Sequence, residues 1–106
     1  MKSYLFVYGT LLDEKIRHMV LGRPSALFPG KLKGFSKSSL TIDGTTYPML
    51  IEAPESSKVI EGGYFELTDQ ELEKTDAYET SAYRRKQVML ENGIRVWVYY
   101  QHPVTS

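Results

Sequence analysis

Tyr4-Leu5-Phe6-Val7-Tyr8-Gly9-Thr10-Leu11-Leu12 is the stretch whose reading organises the rest of the chain. Its first half is an apolar and aromatic run, rich in strand formers and closed by glycine, so residues 4–8 are expected as a buried first strand. A turn is expected at Gly9-Thr10, with Gly9 at positive φ so that a ligand can come close to the backbone. A buried strand that stops at such a turn presents consecutive backbone N–H groups, a geometry suited to a small anion. The same residues also fit an ordinary strand-to-helix turn, which is the commoner use of this pattern.

Outward from there, Ile16, Met19 and Val20 have helical spacing behind Asp13, which can cap, and Gly22 followed by Pro24 marks the stop. Between residues 26 and 53 the apolar residues fall in short pieces cut by Pro29-Gly30, Gly34 and Asp43-Gly44. The last of these predicts a two-residue hairpin between Leu40-Thr41-Ile42 and Thr46-Tyr47. Residues 54–58 read as a polar loop. Residues 59–67 resume strand character, with Gly62-Gly63 marking a bulge or a close backbone approach. Thr68 and Glu71 form a capping box for a second helix ending near Ala77 or Tyr78. Residues 86–91 and 94–100 flank Asn92-Gly93, the signal of a type I′ hairpin. Many short strands with two short helices give an α+β fold, and a small β protein must close or cover its sheet edges, so a curved sheet or small barrel is expected.

The 106 residues suit one domain, residues 1–106, with one core and one site. Hydrophobic residues at 42% and charged residues at 25% match ordinary globular composition rather than disorder. Basic and acidic residues balance at 13 each, so no global field draws in nucleic acid or an anionic membrane, and neither is expected as a partner. The absence of cysteine excludes disulfides, a thiolate nucleophile and cysteine-ligated metal, and suits a reducing cytoplasm. The N-terminal apolar run falls short of a signal-peptide core and no stretch reaches transmembrane length, so the chain is read as soluble, unexported and cytoplasmic.

No phosphate-binding glycine loop ending in Lys-Ser/Thr, no Gly-x-Ser-x-Gly elbow and no paired-histidine metal helix occurs. Gly34-Phe35-Ser36-Lys37-Ser38 lacks the second glycine of a serine elbow. His18 and His102 have no carboxylate or second histidine at ligand spacing and are expected on the surface, with no metal site. Lys31, Lys33, Lys37 and Arg84-Arg85-Lys86 are read as solvated strand faces. Carboxylates and backbone remain. Glu79, within Asp76-Ala77-Tyr78-Glu79-Thr80-Ser81-Ala82-Tyr83-Arg84, lies just past a capped helix and between two tyrosines. Taken singly, such a residue is more often a solvated helix end.

In combination, Phe6-Val7-Tyr8-Gly9-Thr10-Leu11, then Tyr47-Pro48, then Val59-Ile60-Glu61-Gly62, then Asp76-x-Tyr78-Glu79 leading to Tyr83-Arg84 or Tyr83-x-Arg85 resemble the γ-glutamylcyclotransferase-like family, also called AIG2-like. The resemblance covers nearly the full chain. It implies a small mixed β-barrel with two or so short flanking helices, and a substrate cavity at the tyrosine-glycine turn. It further implies Glu79 as the single catalytic acid/base and Tyr8, Gly9, Thr10 and Leu11 as substrate-binding residues. The implied substrate is a small γ-glutamyl compound, whose α-amine attacks its own γ-amide carbonyl to give 5-oxoproline and a free amine, with no cofactor and no metal. Two positions depart from the family pattern: Thr80 stands where glycine is common, and Thr75 where leucine often precedes the aspartate.

For that reaction Glu79 would take the ammonium proton and return it to the departing amine. Tyr78 and Tyr83 would raise its pKa by desolvation. Backbone amides of Gly9, Thr10 and Leu11 would hold either the α-carboxylate or the developing oxyanion, with a hydrogen bond added by the Tyr8 hydroxyl. The short chain and the Tyr-Gly-Thr-Leu form favour γ-glutamyl amines over glutathione. Two other readings stand beside this one. The first is a non-catalytic small-molecule-binding protein of the same fold, for which Thr80 leaves room. The second is an interaction module that uses exposed tyrosines and strand edges and is indifferent to Glu79. The sequence leaves the oligomeric state open.

Overall fold

The computed structural model describes residues 2–55, 57–79 and 83–100, apart from the side chains of Leu40, Ile42, Tyr47, Pro48 and Glu79. Its elements run β1 (Lys2–Val7), a 3-10 turn (Thr10–Leu12), α1 (Glu14–Leu21), β2 (Phe28–Leu32), β3 (Phe35–Ile42), β4 (Thr45–Glu52), β5 (Ile60–Thr68), α2 (Asp69–Glu79), β6 (Arg84–Met89) and β7 (Arg95–Tyr100). The expected α+β content is present, and β1 is the middle strand of a five-stranded sheet ordered β2-β5-β1-β7-β6. It pairs antiparallel with β5, Leu5 opposite Phe65, and parallel with β7, Leu5 opposite Trp97, so the sheet is mixed. The β3–β4 hairpin forms a separate two-stranded sheet.

Among the described residues these strands do not close into the expected barrel, because β2 and β6 remain edges. The loop after β6 does reach β2, where the Glu91 N–H donates to the Lys31 carbonyl at 3.1 Å. Leu90 packs against Gly30 beside this contact, where a Cβ on the glycine would stand 2.9 Å from Leu90 Cδ1.

Side chains alternate along β1, as strand geometry requires. Phe6 and Tyr8 enter one cluster with Leu32, Phe35, Leu50, Ile60, Leu90, Val96 and Val98, covered by the β3–β4 hairpin. Leu5 and Val7 enter another with Leu11, Leu21, Phe65, Leu67, Leu72 and Tyr99, covered by the helices. Burial on both sides explains why the strand reads as a continuous apolar run. The two glycines of β5 serve close approach, since a Cβ on Gly62 would meet the Val7 carbonyl oxygen at 2.4 Å.

The helix signals in the sequence correspond to real caps. Asp13 accepts from the Lys15 amide at 2.8 Å, and α1 ends at Gly22 in the left-handed region with φ 79°. Thr68 and Glu71 exchange the two bonds of a capping box, at 2.9 and 3.2 Å. The face of α1 differs from the apolar spacing, however: Met19 is 73% exposed, while Arg17 and Leu21 are buried. Asp43 and Gly44, at φ 50° and 78°, make the expected two-residue turn between β3 and β4. The β6–β7 connection is not the expected type I′ turn. Asp43 is the one non-glycine residue at positive φ among the described residues, so Asn92 is not left-handed. Asn92 instead accepts from the Ile94 amide at 3.0 Å, and Gly93, at φ 86°, closes a wider loop by donating to Leu90.

Candidate functional site

At the end of β1 the chain turns through a tight 3-10 segment. The Leu12 N–H donates to Gly9 at 3.0 Å and the Asp13 N–H to Thr10 at 3.1 Å. In this geometry the amides of Gly9, Thr10 and Leu11 have no acceptor within the turn itself. Gly9 has φ −137° and ψ −131°, not the positive φ expected of it, because the i to i+3 bonds that follow reverse the chain without a left-handed residue. Leu11 is buried against the helices, Thr10 is exposed, and the Tyr8 hydroxyl donates to the Tyr99 carbonyl at 2.7 Å. Tyr8 therefore links the end of β1 to β7.

A second link joins this turn to the far end of α2, where Thr10 Oγ1 and the Tyr78 hydroxyl lie 2.9 Å apart. Around it, Asp76 accepts from the Tyr99 hydroxyl at 2.6 Å and from both nitrogens of the Arg85 fork, at 2.7 and 3.0 Å. The guanidinium lies over the Trp97 ring, 4.4 Å from its centroid. Burial pushes the Asp76 carboxyl up, but the hydrogen bonds from Arg85 and Tyr99 and the charge of Arg85 outweigh it and hold the group below its ordinary value. Burial, with the Asp76 carboxylate as acceptor, pushes the Tyr99 phenol far above its ordinary value, so it stays a donor. Thr75, fully buried, has its hydroxyl 2.8 Å from the Tyr99 oxygen and 2.7 Å from the Leu72 carbonyl. A threonine in place of leucine is thus satisfied within the network.

Glu79 is the last residue of α2, one position beyond Tyr78; its side chain and Thr80 lie outside the described residues. The two tyrosines expected around it differ in setting: Tyr83 packs against the cluster beneath the helices, whereas Tyr78 is exposed. Of the other sequence candidates, His18 is exposed and His102 lies outside the described residues. The strand cations are partly paired, Lys33 with Glu91 and Lys86 with Glu52. Among the described residues no group of three or more His, Asp or Glu is placed to hold a metal ion. Among the described residues no helix is long and apolar enough to cross a membrane.

Sequence reading did not single out Arg17, Asp76, Arg85 or Tyr99 as site-building residues. Arg17 is only 3% exposed and donates to the carbonyls of Leu11 and Leu12 at 3.1 and 2.8 Å, directly behind the turn. The only trace of this in the sequence is a charge four residues before Leu21, on what becomes the buried side of α1.

Comparisons with known proteins bear on the family and the fold. The model of the family described as gamma-glutamyl cyclotransferase, AIG2-like, matches residues 5–106. AIG2-like protein D of Arabidopsis thaliana is 34% identical over 86 residues, 81% of this chain and 55% of that protein. Protein AIG2 C of the same plant is 29% identical over 100 residues, 89% of this chain and 57% of that protein. The chain thus spans about half the length of the curated relatives it matches. A solution structure of an Arabidopsis thaliana protein superposes with a TM-score of 0.81 at 25% identity, covering 95% of this chain and 62% of that one. A structure of a gamma-glutamyl cyclotransferase superposes with a TM-score of 0.72 at 17% identity, covering 95% and 67%, and shows a shared fold. With the family model running from β1 to the end of the chain, this protein belongs to the gamma-glutamyl cyclotransferase, AIG2-like family.

Proposed function

We propose that this chain cyclises the γ-glutamyl group of a small γ-glutamyl amine, releasing 5-oxoproline and the free amine, with Glu79 as acid/base and Tyr8, Gly9, Thr10 and Leu11 holding the substrate. The observation that carries this reading is the 2.9 Å contact between Thr10 Oγ1 and the Tyr78 hydroxyl. It ties the turn, whose first amides have no acceptor within the turn itself, to the helix end that bears Glu79, so a ligand bound at one is within reach of the other.

The chemistry balances within one substrate molecule. The α-amine nitrogen forms a bond to the γ-carbonyl carbon, the bond from that carbon to the leaving nitrogen breaks, and the two protons shed between ammonium and lactam N–H, one before the attack and one after it, end on the leaving nitrogen, which departs as an ammonium. Holding the substrate in a ring-like pose recovers much of the effective molarity of an intramolecular attack. Glu79 carries these protons in turn from the attacking to the leaving nitrogen. Amides of the turn bind the α-carboxylate or the oxyanion, and no cofactor takes part.

The test is incubation with γ-glutamyl amines, γ-glutamyl amino acids and glutathione, following 5-oxoproline and free amine together. Equimolar release, fastest with γ-glutamyl amines, is the expected result. Binding of these compounds without release of either product would replace the enzyme reading with that of a non-catalytic small-molecule-binding protein.

A further inference from the structure

Arg17 has a setting that burial alone does not explain. Among the described residues its guanidinium meets only neutral partners: the Leu11 and Leu12 carbonyls, the Ser25 hydroxyl at 3.0 Å, the Ser25 carbonyl at 3.4 Å and the Phe65 ring at 5.8 Å. A cation withdrawn from water without a counter-charge is costly, so its hydrogen bonds must recover most of that cost.

Two of those bonds begin parallel chains through the turn. In one, Arg17 donates to the Leu11 carbonyl, the N–H of that peptide group belongs to Leu12 and donates to Gly9, and the N–H of the Gly9 peptide group is that of Thr10. In the other, Arg17 donates to the Leu12 carbonyl, the Asp13 N–H donates to Thr10, and the N–H of the Thr10 peptide group is that of Leu11. Hydrogen bonds aligned head to tail polarise one another, so a positive charge at the carbonyl end strengthens the donors at the other end. We infer that Arg17 is the positioning residue of the substrate turn, orienting and polarising the amides of Thr10 and Leu11 through the carbonyls of Leu11 and Leu12. This rests on the reading of that turn as the place where substrate binds. It selects the α-carboxylate as the group the two amides hold, because a full negative charge gains most from a buried cation behind the donors.

The experiment needs no turnover. 5-Oxoproline and 2-pyrrolidinone, the same ring without a carboxylate, are titrated into wild type, Arg17→Gln and Arg17→Lys, following amide chemical shifts and affinity, with thermal melts on each protein. Wild type is expected to bind 5-oxoproline more tightly, with the Thr10 and Leu11 amides moving most. Arg17→Gln should weaken 5-oxoproline roughly tenfold, the loss associated with one charge-assisted hydrogen bond, and 2-pyrrolidinone far less. Arg17→Lys should recover part of the difference. A folded Arg17→Gln that keeps the wild-type preference overturns the inference. Should that variant not fold, Arg17→Lys decides, and equal effects on the two ligands count against it. So does a wild type whose Thr10 and Leu11 amides ignore 5-oxoproline. Turnover combined with an unchanged preference would remove the role of Arg17 and leave the proposed reaction standing; carboxylate-selective binding without turnover would do the reverse.

Discussion

Glu79 ends α2 one residue after Tyr78, whose hydroxyl is held by Thr10. Glu79→Gln keeps the shape and removes the proton-accepting group, so 5-oxoproline release should fall by roughly two to four orders of magnitude, the usual worth of general acid/base catalysis. Thermal stability should move by less than about half a kcal/mol, as for an ordinary surface change. A variant with wild-type turnover would remove Glu79 from the mechanism. Gly62 shows the opposite kind of dependence. Because a Cβ there would stand 2.4 Å from the Val7 carbonyl oxygen and 2.8 Å from Phe6 Cζ, Gly62→Ala must push β5 away from β1. We expect a loss of about 1–3 kcal/mol in denaturant unfolding, typical of overpacking, and the same change at exposed Gly44 is the control only for burial, since φ 78° there adds its own strain.

α2 is fixed at both ends by side chains rather than by an apolar stripe. At its start Thr68 and Glu71 cap it, and Arg23 grips the Glu71 carboxylate at 2.5 and 2.9 Å while also reaching the Glu66 carbonyl. Thr68→Ala should cost about 1 kcal/mol, read from the thermal midpoint, with little effect on ligand affinity. At its end Tyr99 and Arg85 hold Asp76. Tyr99→Phe leaves Asp76 its arginine but removes the tie to β7, and we expect a cost of about 1–2 kcal/mol together with lowered kcat, since the same turn of helix leads to Glu79. Equal kcat in the two proteins would show that the network stabilises α2 without serving the reaction.

Acid is the condition that acts on these ties together. The Arg23 hydrogen bond, outweighing burial, lowers the Glu71 carboxyl from about 4.5 to about 2, and Asp76 is lowered as well. Both groups bind protons more weakly folded than unfolded, so their stabilisation is present in full above the unfolded pKa and is lost as pH falls through the folded one. Unfolding free energy should therefore decline from about pH 4.5 toward pH 2, and Glu71→Gln should flatten that decline while lowering stability near neutrality. Because the Arg23 side chain is 41% exposed, the Glu71 contribution is expected at about 1–2 kcal/mol rather than the full linkage value. Denaturant melts of both proteins across this range are the check.

Strand periodicity, caps and turn chemistry act over a few residues, which is why β1, the Asp13 cap, the Gly22 stop, the Thr68–Glu71 box and the Asp43-Gly44 hairpin were all legible in the sequence. The paired stretches around Tyr8 and Glu79 were legible as a family pattern for the same reason, since each is a short segment with its own spacing. Three features were not. Among the described residues the sheet stays open between β2 and β6, the buried side of α1 carries Arg17 rather than Met19, and Asp76 finds Tyr99 and Arg85 from two different strands. Each depends on how the chain packs: Tyr99 and Asp76 are 23 residues apart, and Arg17, whose hydrogen-bond partners Leu11, Leu12 and Ser25 are near in sequence, is turned inward against the Phe65 ring. A buried arginine or aspartate is stable only if the fold surrounds it with acceptors or donors, so its place is decided by packing, which the spacing of apolar residues does not reveal.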